Sequence, residues 1–186
     1  MDPAIEPQGR WPPVYSAEDL AREIASLTSA KDFDARFWLL SLVHPEGVYQ
    51  GDIVHLPAEL PLIDRDGQIA ENGAHDYWIV LGNTCDFVRD VRWTQISPLV
   101  SIGDAGPAHE VREHRAYKHS RKFYLPPWPN GDREHRFADF TRPVTLEKAA
   151  FGNSAKVIAR MQYAAWVLLH SCLIRFLARD DGRHDP

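Results

Sequence analysis

Gly51-Asp52-Ile53-Val54-His55-Leu56 is the stretch on which the reading of the fold turns. From Gly51 apolar and polar side chains alternate with the period of a strand, and the run stops at Pro57. Residues 61–73 read as a loop with Asp64-Arg65-Asp66-Gly67 as its turn; the glycine is misplaced for a calcium loop and the later ligands are missing. Asp76-Tyr77-Trp78-Ile79-Val80-Leu81-Gly82 is rich in β-branched and aromatic residues and reads as a buried strand. Residues 93–102 read as another, bent or ended at Pro98, and residues 121–125 and 136–140 as weaker candidates. Pro126-Pro127-Trp128-Pro129-Asn130-Gly131 makes the turn between those two, with Trp128 packed inward. Short strands punctuated by Gly and Pro imply a small barrel or curled antiparallel sheet over residues 48–141.

On either side of this middle the periodicity is helical. Residues 1–15 form an irregular arm, kept out of helix by Pro3, Pro7, Pro12 and Pro13. Ser16 reads as an N-cap with Asp19 three residues on, and Leu20, Ile24 and Leu27 follow as one face of a helix ending near Ser29. Residues 33–43 are expected to form a second helix, stopped by His44-Pro45 and Gly47. Residues 154–179 are expected to form one long helix with Val157, Met161, Ala164, Leu168, Cys172 and Phe176 as its stripe. Tyr163, Trp166, Val167, Leu173, Ile174 and Leu177 widen that stripe, which implies burial on more than one side. The cover is either the barrel and N-terminal helices, or a protein partner or second copy. The expected architecture is therefore α+β: the arm, then a single domain over 16–186 in which N-terminal helices and a long C-terminal helix pack on the barrel.

Composition narrows the class. The chain has 186 residues, 44% hydrophobic and 25% charged, enough for an ordinary core without metal or disulfide staples. Cys85 and Cys172 form no CxxC pair, the N-terminus lacks the apolar core of a signal peptide, and the longest apolar stretch, 164–169, is too short to span a bilayer. These features point to the cytoplasm, with no membrane association and no cofactor. No Walker loop, GxGxxG, HExxH or GxSxG occurs.

Charge is segregated. Residues 46–76 hold seven acids and one base, a local −6, whereas residues 112–122 hold five bases and one acid, a local +4, within a chain of net −5. Two readings of the basic segment are open. In one, Arg112, Arg115, Lys118, His119, Arg121 and Lys122 contact the phosphates of single-stranded RNA or DNA while Tyr117 stacks on a base, just before Phe123-Tyr124. In the other, the segment is a solvated loop paired with the acidic stretch.

Asn83-Thr84-Cys85-Asp86 is the most distinctive polar cluster, set directly behind the 76–82 strand. Cys85 is a nucleophile if His55 or His75 makes it thiolate; otherwise it is a small apolar side chain at a strand end, with Asn83 and Asp86 capping free amides. His55, His75, Asp52 and Asp76 have the chemistry for a divalent metal, but their spacing does not demand one, and no metal site is assigned.

Three segments within residues 50–101, a span of about a quarter of the chain, carry a family resemblance: Gln50-Gly51-Asp52-Ile53-Val54, then Trp78-Ile79-Val80-Leu81-Gly82-Asn83-Thr84-Cys85-Asp86, then Ile96-Ser97-Pro98-Leu99-Val100-Ser101. In that order they resemble the strands of PemK/MazF-type SH3-like barrels. The Thr-Cys-Asp also resembles an uncharacterised bacterial group with a V-L-S-Q-x-C-D motif, and Arg175-Phe176-Leu177-Ala178-Arg179 is similar to the helical end of that group. The resemblance implies a nucleic-acid-acting protein of a bacterial toxin–antitoxin or antiviral defence system. Asp76-Tyr77 stands where the ribonucleases carry Arg-Pro, and Val100 where they carry Thr, with Ser101 one residue later. The first expectation is therefore a non-catalytic binding or adaptor protein. A divergent endoribonuclease is the alternative, with Ser101 or Thr84 assisting and Arg112, Arg115 or His119 on the phosphate. A hydrolase using Thr84-Cys85-Asp86, with Cys85 as nucleophile, is the second alternative.

Overall fold

The computed structural model describes residues 17–29, 33–42, 47–63, 66, 68–102, 108–131 and 133–177. Its helices are α1 (Ala17–Thr28), α2 (Thr84–Val88), α3 (Ala108–Arg115), α4 (Ala149–Asn153) and α5 (Tyr163–Leu177). Its strands are β1 (Ile53–Ile63), β2 (Ile69–Val80), β3 (Trp93–Ser101), β4 (Lys122–Leu125), β5 (Arg136–Asp139), β6 (Val144–Glu147) and β7 (Lys156–Ala159). All pairings are antiparallel, in the order β4-β5-β3-β2-β1-β7. β3 is shared along its length: Leu99–Ser101 pair with β5, and Trp93–Ile96 pair with β6.

The sheet is apolar on both faces, which is why the end of β2, residues 77–80, reads as a continuous apolar run rather than an alternation. Ile53, Ile79 and Leu99 face a large core completed by Ile24 of α1, Phe37, Trp38, Phe123 and the α5 residues Leu168, Leu169 and Cys172. Val54, Leu56, Trp78, Val80 and Ile96 face a second, smaller core. Val144 and Leu146 of β6, Val157 of β7, Phe87 of α2 and Phe151 of α4 pack against that one.

Several expectations are corrected. The barrel does not close: the sheet is an open path, with β4 and β7 at its ends. The expected helix over 33–43 is a single 3₁₀ turn, Asp34–Arg36, followed by extended chain. Its backbone groups are taken by the segment before α5, with Leu39 N–H on Arg160 O at 2.8 Å and Gln162 N–H on Phe37 O at 2.9 Å. Phe33, Phe37 and Trp38 are thereby all buried.

The strand expected to stop at Pro57 runs to Ile63, and most of the expected 61–73 loop is hairpin strand. Pro57 is tolerated because it sits at a register break between His55 and Ala58, and β7 covers β1 only over residues 53–55. The helix expected from residue 154 starts at Tyr163; residues 156–159 are instead β7 on the edge of β1. Of the predicted stripe, Leu168 and Cys172 are fully buried within this chain. α3 was expected as loop, and α2, α4 and β6 were not anticipated. The 1–15 arm, the Ser16 cap, the His44-Pro45 stop, Asp64, Arg65 and Gly67 of the turn, and everything after Leu177 lie outside the described residues.

The β1–β7 register, Ile53 opposite Ala159, puts Asp52 opposite Arg160 as the next rung. Both are buried, at 0% and 5% exposure. Arg160 donates from Nε to Asp52 Oδ1 and from Nη2 to Oδ2, each at 2.8 Å. Asp52→Ala leaves the guanidinium buried without its carboxylate and is expected to cost about 3–5 kcal/mol. Urea unfolding measures this; a loss below about 1 kcal/mol would show that the rung does not hold the sheet to α5.

Candidate functional site

The turn before β1 is a buried polar knot built on that rung. Asp52 Oδ2 also accepts the Tyr49 N–H at 2.9 Å, and Arg160 Nη2 also reaches Gly47 O at 2.7 Å. The guanidinium lies 4.0 Å from the Tyr49 ring centroid. Burial pushes the Asp52 carboxyl up from its ordinary value, against the opposing pull of the Arg160 guanidinium and the Tyr49 amide. Gly51 turns the chain at φ +87°, and a Cβ there would stand 3.1 Å from Met161 Sδ, so the position requires glycine.

Gln50 extends the knot to α2 and α5. Its Nε2 donates to Leu81 O at 2.7 Å, which leaves Oε1 to accept from His170 Nε2 at 2.5 Å and sets the His170 tautomer. Its backbone N–H donates to Thr84 Oγ1 at 3.0 Å. Thr84, a predicted catalytic residue, thus ties α2 to the knot. Cys85 beside it is exposed, and its polar contact is Asp86 Oδ1 at 3.8 Å. No imidazole among the described residues hydrogen-bonds its sulfur. Asn83 makes no side-chain cap, and the Asp86 carboxylate approaches Arg89 at 4.0 Å.

Ser101 lies elsewhere. α2 follows the Leu81-Gly82 amides, both bonded to Gln95 O near the start of β3, whereas Ser101 is the last residue of that strand. At strand rise the separation is roughly 20 Å, so Ser101 is not brought together with Thr84, Cys85 and Asp86. Among the described residues no group of three or more His, Cys, Asp or Glu side chains is gathered for a metal. Asp52 is committed to Arg160, and the His75 ring lies 5.5 Å from that of Trp78.

The basic segment folds as α3, a turn and β4. Arg112, Arg115, Lys118, His119 and Arg121 are exposed. Arg115 bonds Asp34 at 2.5 Å, and Lys122 sits 4.1 Å over the Phe137 ring. The expected stacking rings are not available: Tyr117, at φ +49°, and Phe123 and Tyr124 are all buried in the main core. Hydrophobic burial claims the rings and leaves the cations outside.

A cleft of about 580 Å³ opens at the margin of the main core, between residues 39–42, the 128–131 turn and β7, with His55 and Tyr77 in its lining. Sequence reasoning missed it because its walls come from five separate segments. It also missed Arg160 and His170, which were read as ordinary helix residues; polar side chains inside an apolar run were the available signal. No family model matches the chain, and no curated protein matches it.

Two measurements probe this region. Cys85 is exposed, while Cys172 is buried and its thiol is pushed up to about 12 by burial. An aromatic disulfide reagent is therefore expected to titrate Cys85 in the native protein and Cys172 only after unfolding; fast reaction of both would contradict the packing of α5. Burial also holds His170 down at about 4. In the unfolded chain it titrates near 6.5, so the unfolded state takes up the proton first as pH falls. This contribution to stability is complete above about pH 6.5 and lost between about 6.5 and 4, a change of at most about 3 kcal/mol. His170→Gln should flatten the dependence of the urea midpoint on pH over that window, and an unchanged slope would count against a buried neutral imidazole.

Proposed function

We propose that this protein is a non-catalytic nucleic-acid-binding protein on a rolled sheet of the PemK/MazF kind. The observation that carries the reading is the run of exposed cations, Arg112, Lys118 and Arg121, along α3 and the approach to β4 in a chain of net charge −5. A basic face on an acidic protein concentrates binding of a polyanion in one place. The roll is supported by the small core, to which β7, β1, β2, β3 and β6 all contribute, so that the strands curl around one set of side chains. α4 bridges β6 and β7. The non-catalytic character is supported by the distance between Ser101 and Thr84-Cys85-Asp86, and by Thr84 serving the Gln50 amide.

With Tyr117, Phe123 and Tyr124 buried, contact on this face is to the phosphate backbone, so binding is sequence-tolerant and sensitive to salt. Labelled single-stranded RNA followed by fluorescence anisotropy is the test. The expected slope of log K against log salt is roughly −2 to −3, from about 0.7 per neutralised phosphate and three to four cations. The triple variant R112A/K118A/R121A should bring the slope close to zero. Absence of binding at about 50 mM salt would reject the reading, and cleavage of the RNA would replace it with the endoribonuclease one.

A further inference from the structure

We propose that the cleft beside β7 is a binding site for a nucleoside monophosphate, either free or as the terminal nucleotide of a strand. The site is a row built by strand register. Lys156 of β7 lies opposite His55 of β1, which lies opposite Tyr77 of β2. The His55 and Tyr77 ring centroids are 5.5 Å apart, and Tyr77 meets Trp128 edge-to-face at 5.2 Å. A cation therefore stands at one end of a floor of three rings inclined to one another by 56° and 66°, the last of them, Trp128, buried. Two strand spacings separate Lys156 from Tyr77, roughly 10 Å along the sheet.

This floor is the main core face carried past its apolar cover. Ile53 and Ile79 are fully buried, but the next side chains on that face, His55 and Tyr77, are only partly covered. At the rim Leu40 is 83% exposed, an apolar side chain that a bound ring would cover. Behind the floor the buried Arg136 guanidinium, bonded to Glu134, lies 4.9 Å from the Tyr77 ring and 4.4 Å from the Trp128 ring. It rigidifies both rings and places positive charge beneath them.

The Trp128 turn is fixed from the other side. Asn130 holds φ +60°, and a Cβ on Gly131 would lie 2.2 Å from Trp128 Nε1. Asn130 lines the cleft at its aromatic end, and its amide carries both a donor and an acceptor. A half-buried ring to stack on, an amide to read a ring edge, and a lysine two strands away match a base and its phosphate. The volume falls within the range of small-molecule sites. This inference stands apart from the α3–β4 reading, since it uses none of that face.

Isothermal titration calorimetry of the full chain with adenosine 5′-monophosphate, adenosine and inorganic phosphate tests it. The monophosphate is expected to bind, with adenosine and phosphate each weaker. Lys156→Ala, at an exposed position, should weaken the monophosphate about two- to fivefold and leave adenosine unchanged. Tyr77→Leu should weaken both by roughly fivefold or more, with a circular dichroism melt confirming that the variant is folded. R112A/K118A/R121A should bind the monophosphate like the parent. A 5′-phosphorylated pentanucleotide that competes with the monophosphate, and depends equally on Lys156, would assign the site to strand ends; binding of the monophosphate alone would assign it to free nucleotide. The proposal is overturned if the monophosphate gives no heat up to millimolar concentration, if Lys156→Ala leaves its affinity unchanged, or if the triple variant abolishes it.

Discussion

The rest of the molecule depends on one rung held by side chains: Asp52 against Arg160. Two charges withdrawn from water are costly, and such a pair contributes little net stability over an apolar equivalent. What it contributes is register. A slip of β7 along β1 by one residue would turn Val157 out of the small core and leave both charges buried without partners. Hydrophobic contacts alone tolerate such slips far better, because Val157, Ile158 and Ala159 are interchangeable as apolar bulk.

The consequences spread through the Gln50 knot. The rung fixes the turn of residues 47–52, the turn requires Gly51 in the left-handed region, and the missing Cβ is the space occupied by Met161. Gln50 then satisfies Leu81 O, a backbone group at the end of β2, and fixes His170 in the middle of α5. One short polar turn thus sets the start of β1, the start of α2 and the depth of α5. Every member has a partner, which is the condition under which a buried polar network specifies a structure rather than weakening it.

How much of this was legible in the sequence follows from which signals are local. The second half of β2, together with β3, β4 and β5, was readable because β-branched and aromatic runs bounded by Gly and Pro need no tertiary information. The start of α5 was not readable: Lys156-Val157-Ile158-Ala159 fits a helical stripe as well as a short strand, and Arg160 decides between them only through Asp52, more than a hundred residues away. The same competition undid the helix over 33–43, whose backbone bonds go to residues 160 and 162. Gln50, Gly51 and Asp52 were singled out as a motif, but the partners that explain them were invisible until the chain was folded. Cys85 drew attention by its neighbours, and the structure gives it an exposed helix turn with Asp86 beside it and no imidazole bonded to it among the described residues.

The two candidate surfaces differ in how folding has sorted rings from cations. In residues 112–124 the sequence interleaves them, and the core then takes Tyr117, Phe123 and Tyr124 while solvent keeps Arg112, Lys118 and Arg121. Sorting there is nearly complete, so that face offers cations while Tyr117, Phe123 and Tyr124 stay inside. Beside β7 sorting is incomplete. His55 and Tyr77 lie on the core face of their strands, yet no element covers them fully, and Lys156 shares their row. The half-buried rings leave apolar surface in contact with water, while the Lys156 ammonium beside them stays hydrated. The proposed nucleotide would cover that apolar surface with its base and set its phosphate against the ammonium.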